Sequence, residues 1–145
     1  MADNTERRVA LALLSERHEV LLSRRDDQPL HTLPYLSVDR NADDEALERA
    51  LAELLDGLIE APETLDRPVW LGRFILPDER GRHTALVELY TTALPAGIRL
   101  RRQSGQVRGW AALTAPAPEG VIQPAIELQI LPVLASLVAS GRACE

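Results

Sequence analysis

Residues 33–58 read LPYLSVDRNADDEALERALAELLDGL, and their second half is strongly amphipathic. Over residues 41–57, Ala46, Leu47, Ala50, Leu51, Leu54 and Leu55 fall on one half of a helical cylinder at about 100° per residue. Glu45, Glu48, Arg49, Glu53 and Asp56 fall on the other half. Asn41 stands at the cap position, and Asp43, Asp44 and Glu45 lie near the positive end of the helix dipole. Gly57 is expected to end the helix.

Upstream, residues 8–14 form an apolar run suited to a buried strand, and residues 19–23 read as its hairpin partner across the polar turn 15–18. Residues 26–34 hold two prolines and predict a loop. Downstream, residues 62–68 are a second loop. Residues 69–76 and 83–91 are strand-like and are joined by a turn over 77–82. Shorter strands are expected at 98–102 and 106–112, with an irregular Pro-rich stretch at 115–120. Residues 123–140 are helical in pattern, but Pro132 should kink or divide that helix, whereas Pro124 suits a first turn. The order of strand pair, helix, strands and helix predicts an α/β domain of the α+β type. Its mixed sheet lies between helices, and one domain spans 1–145.

Composition narrows the function. The chain has 145 residues, 46% of them apolar, with a net charge of -6. Its cations are arginines; there is no lysine, which excludes Schiff-base chemistry and a Walker-type phosphate loop. An acidic chain is a poor partner for the nucleic-acid backbone. Cys144 is the single cysteine, so an intrachain disulfide and a thiolate metal cluster are excluded. No apolar run is long enough to span a bilayer, and the N-terminus lacks a signal-peptide core, so a soluble cytoplasmic protein is expected.

Three segments together resemble the Nudix (MutT-like) family. Val20-Leu-Leu-Ser-Arg-Arg25 ends a strand in arginine, Leu33-Pro34-Tyr35-Leu36 stands where the family has Leu-Pro-Gly-Gly, and Gly57-Leu58 closes the helix. Val107-Arg-Gly-Trp110 resembles the later strand that often carries tryptophan. The family signature is G-x5-E-x7-R-E-U-x-E-E-x-G-U, with U apolar, and the 21 steps from Leu36 to Gly57 match its spacing. The resemblance implies an α/β/α sandwich. It also implies Mg²⁺-dependent hydrolysis of substrates linked through a nucleoside diphosphate, since the signature glutamates bind the cation.

Most of those glutamates are missing. Without a gap, the run R-E-U-x-E-E falls on residues 50–55 and aligns no glutamate with a metal position. A one-residue shift gives Arg49 the arginine and Glu53 the first of the paired glutamates. Ala50, Leu54 and Asn41 then replace the other acids. The shifted register is preferred because it puts Ala46, Leu47 and Leu51 inward and avoids burying Glu48 unpaired. Tyr35 and Leu36 lack the backbone freedom of the two glycines.

The candidate residues each have two readings. Glu53 is a metal ligand or one charge on a solvated helix face that pairs locally with Arg49. Arg24 and Arg25, at the end of a strand, hold substrate phosphate or form a charged strand end. Glu48 and Glu88 are further catalytic candidates, though Glu88 also suits a cross-strand pair with Arg73. Arg101 and Arg102 read as a solvated edge, and Trp70, Phe74 and Trp110 as core or pocket wall. His18, His31 and His83 share no metal spacing. The face carrying Leu51, Leu54 and Leu55 must pack on the core or on a partner chain. The sequence therefore predicts a catalytically impaired Nudix-like binding or interaction module, with a nucleotide as ligand and a homodimer as assembly. The rival reading is a divergent pyrophosphohydrolase using Mg²⁺.

Overall fold

The computed structural model describes residues 6–77, 83–113 and 121–139. Its strands are β1 (Glu6–Leu14), β2 (Glu19–Arg25), β3 (Tyr35–Val38), β4 (Val69–Pro77), β5 (Thr84–Ala93) and β6 (Gln106–Ala112). They form one sheet in the order β4-β5-β1-β2-β6, with β3 also paired to β1. β1 and β5 run parallel from Glu6↔Ala85 to Leu14↔Ala93, and the other pairs are antiparallel. The sheet is therefore mixed, and helices α1 (Asp44–Leu58) and α2 (Leu131–Ala139) cover its two faces.

β1 is buried on both faces, which is why it reads as a continuous apolar run. Val9, Leu11 and Leu13 pack with Leu47, Leu51, Leu54, Leu55 and Leu58 of α1. Ala10, Ala12 and Leu14 pack with Ile126, Ile130 and Leu134 on the opposite side. The apolar face of α1 thus packs on the chain's own core.

β3 falls in a segment with no strand expected. It has four residues, too few for alternation to stand out. It forms because β2 meets β1 only at Leu14↔Val20 and then diverges to pair with β6. The vacated edge of β1 is taken by β3, from Arg7↔Val38 to Ala10↔Tyr35. The Arg8 guanidinium sits 4.0 Å from the Tyr35 ring centroid, a cation–π contact across this pair.

The ends of α1 differ from expectation. Asp43, not Asn41, is the cap: its Oδ1 accepts from Ala46 N at 2.8 Å. Asn41 belongs to a preceding turn in which its backbone N–H donates to Asp39 Oδ1. At the other end the helix continues through Gly57 to Leu58, and Ile59 turns extended to bridge Leu100. Gln103 Nε2 donates to the Gly57 carbonyl at 2.8 Å. Arg101 donates to the carbonyls of Ile59 and Glu60, so it secures the exit of the helix as well as facing water. Residues 98–102 form no strand; Leu100 makes an isolated bridge only.

The last helix divides near Pro132. Ile126–Ile130 is one turn of π-helix, with Leu131 N–H reaching back five residues to the Ile126 carbonyl. A proline has no N–H and its ring crowds the preceding turn, so a regular α-helical ladder does not run unbroken through this point. No helix of the described residues is long and apolar enough to cross a membrane. The turn over 78–82, the stretch 115–120 and Cys144 lie outside the described residues.

Candidate functional site

Along β5, Ala85, Val87 and Leu89 face the α2 side, so Glu88 and Tyr90 face α1. Glu88 is 1% exposed. A carboxylate so far from water is tolerated only when its oxygens are hydrogen-bonded and its charge is opposed. Both conditions are met. Arg73 Nε at 3.0 Å and Arg7 Nη2 at 3.1 Å donate to Glu88 Oε2, while Trp70 Nε1 donates to Oε1 at 3.2 Å. The cross-strand Arg73–Glu88 pair is the one its alternation suggested.

A bulge brings these donors together. Trp70 and Arg73 are three residues apart, so regular alternation would put them on opposite faces of β4. Trp70 pairs with Tyr90 and Gly72 with Leu89, which leaves Leu71 as the extra residue. The bulge re-aims the chain before it, and both side chains face Glu88. Arg7 comes from the start of β1, 81 positions away in sequence. It also donates to the carbonyls of Ala42 at 2.7 Å and Arg40 at 3.3 Å, tying the buried carboxylate to the segment that enters α1.

Above this cluster lies a cleft of about 600 Å³ between α1 and the β4–β5 edge. Its α1 wall carries Asp44 and Glu48 beside Leu47, Leu51 and Leu55, and its strand wall carries Arg67, Trp70, Arg73 and Tyr90. Arg67 Nη2 donates to Glu48 Oε1 at 2.8 Å, joining the two walls through side chains that are largely in water. Burial raises the Tyr90 phenol pKa above its ordinary value of 10.0, with further repulsion from Glu88, Asp44 and Glu48 and opposition from Arg7.

A second depression gathers Asn41, Arg49, Ala50 and Glu53 beside Asp39 and Asp43. Glu53 is exposed, and no ion pair links Arg49 to Glu45 or Glu53 among the described residues. Asp39 and Asp43 accept hydrogen bonds from the backbone N–H groups of Asn41 and Ala46. Leu54 is turned into the core. Among the described residues, no three His, Cys, Asp or Glu side chains are placed to hold a metal ion.

The candidate acids are therefore divided. Glu48 and Glu88 share the cleft, whereas Glu53 faces the other depression. Arg24 lies apart from both, its Nη1 donating to the carbonyls of Arg25, Asp26 and Gln28. Arg25 faces Asp27 at 3.6 Å in water. Arg7, Arg67 and Tyr90 belong to the site without being marked as such by the sequence pattern. Only Arg7 leaves a signal there, as a cation on the same alternation as Val9 and Leu11. Of the two readings, core or pocket wall, Trp70 lies in the cleft wall, and Phe74 packs partly buried on the α2-side core.

No family model and no curated protein sequence matches the chain. Solved structures do. A MutT NUDIX hydrolase from Burkholderia pseudomallei superposes with a TM-score of 0.63 at 19% identity, covering 94% of this chain and 99% of that one. The NUDIX domain of Shewanella oneidensis NrtR, solved with ADP ribose, gives 0.64 at 17% identity, covering 94% and 90%. A MutT protein from Methanosarcina mazei gives 0.62 at 14% identity, covering 98% and 99%. The chain has the Nudix-like α/β/α fold.

Proposed function

We propose that this chain is a non-hydrolytic Nudix-fold module that binds a nucleotide. The observation that carries the reading is the α1 surface where the signature acids would stand. In the shifted register those positions are Asn41, Ala50, Glu53 and Leu54, and Glu53 alone offers a carboxylate. Leu54 is buried against β1, while Asp39 and Asp43 already serve the backbone. Hydrated magnesium needs several converging oxygens, and these residues do not fit that requirement. Glu88 is a poor substitute for the missing ligands, because it is almost wholly buried and the cations of Arg7 and Arg73 beside it oppose a further cation. Binding without cleavage fits the fold and the polar cleft, and the NrtR domain offers ADP ribose as a first ligand to test.

The test is turnover. Purified protein with Mg²⁺ or Mn²⁺ is expected to release no phosphate or nucleoside monophosphate from nucleoside triphosphates, ADP ribose or dinucleoside polyphosphates. Robust release that EDTA abolishes would overturn the reading and favour a divergent pyrophosphohydrolase. Glu53→Gln and Glu48→Gln would then identify the acid responsible.

A further inference from the structure

The cleft beside Glu88 has the chemistry of a binding site. Trp70 is 53% exposed, yet its indole N–H is held by Glu88, so the ring presents a surface of fixed orientation to the cavity. Such a ring is suited to stacking against a planar base. Leu47, Leu51, Leu55 and Pro68 supply apolar wall around it. Arg67 and Arg73 lie on the same strand wall, with side chains 83% and 56% exposed. An arginine carries five N–H donors. Arg67 gives one to Glu48, and Arg73 gives one to Glu88, so both retain donors for a second anion. The volume of about 600 Å³ suits a small organic molecule.

We propose that the cleft between α1 and the β4–β5 edge takes a nucleoside phosphate, with the base on Trp70, the phosphate on Arg67 and Arg73, and Glu48 competing with the ligand for Arg67. This rests on the binding reading above and gives it a location. Glu48 is the informative residue. Its carboxylate accepts from the Arg67 guanidinium at the cleft wall, and its charge would repel an incoming anion. Removing an acid should therefore tighten binding, which a merely structural Glu48–Arg67 bridge would not do.

The experiment is calorimetric titration in EDTA with AMP, adenosine and inorganic phosphate as separate probes. AMP is expected to bind more tightly than either fragment. Trp70→Leu should weaken AMP about tenfold. Glu48→Gln should tighten AMP about two- to fivefold and leave adenosine unchanged, with the gain lost in an Arg67→Gln background. Both Glu48 and Arg67 are on the surface, so these variants should fold. AMP binding that is insensitive to Trp70→Leu, or weakened by Glu48→Gln, overturns the site while leaving a nucleotide module elsewhere on the chain. No binding of AMP by the unaltered protein overturns the site outright. Mg²⁺-dependent turnover bears only on the non-hydrolytic reading, because the titration excludes metal.

Discussion

Trp70 and Arg73 reach one carboxylate, that of Glu88, from the same face of β4 although they are three residues apart. The bulge at Leu71 makes this geometry. It converts an edge strand into one wall of the cleft and supplies two of the three donors that allow Glu88 to be buried.

Deleting Leu71 should undo that arrangement. The pairing from Gly72↔Leu89 onward can persist, while the residues before it reverse their facing. Trp70 then loses Glu88. The indole N–H of Trp70, followed by hydrogen exchange in nitrogen-edited NMR spectra, should change from protected to freely exchanging. Continued protection would show that the bulge does not set the orientation.

Glu88→Gln should be costly. It leaves Arg7, whose side chain is 12% exposed, without the charge that offsets its burial. Breaking such a pair costs roughly 3–5 kcal/mol, measurable by urea denaturation at pH 7. Arg73→Ala should cost much less, because the Arg73 side chain is 56% exposed and water screens its pair with Glu88. Equal losses from the two variants would argue against this division.

Asp43→Ala should destabilise the protein by about 1 kcal/mol, the usual effect of losing a helix cap. Asn41→Ala should stay within about 0.5 kcal/mol, the range of ordinary surface changes. Thermal melts of the two variants distinguish the observed cap from the one expected at Asn41.

Tyr90 predicts alkaline sensitivity. Its folded pKa lies above the ordinary value of 10.0, first because burial strips water from the phenolate and then because Glu88, Asp44 and Glu48 repel it. Above about pH 10 the unfolded chain releases this proton before the folded chain does. The unfolded state then binds fewer protons, so stability falls as pH rises. Tyr90→Phe should flatten the fall in denaturation midpoint between pH 9 and 11. An unchanged slope would exclude Tyr90 as its source.

Features that repeat locally are legible in the residues alone. The amphipathic spacing of residues 46–55 placed α1 and its buried leucines, the apolar run of β1 marked a strand covered on both faces, and Pro132 marked the division of the last helix. Alternation also suggested the Arg73–Glu88 pair. The remaining features depend on contacts between elements distant in the chain. β3 exists because β2 leaves β1, the cap moved to Asp43 because Asp39 turns the chain at Asn41, and Gly57 stays helical with its carbonyl held by Gln103. The acids Glu48 and Glu53 sit on one helix but open onto different cavities. Arg7 meets Glu88 only through the parallel pairing of β1 and β5, and Trp70 joins them only through the bulge. Periodicity records which side of an element is apolar. It does not record which strand lies alongside, where a ladder gains a residue, or which distant arginine a buried carboxylate will find.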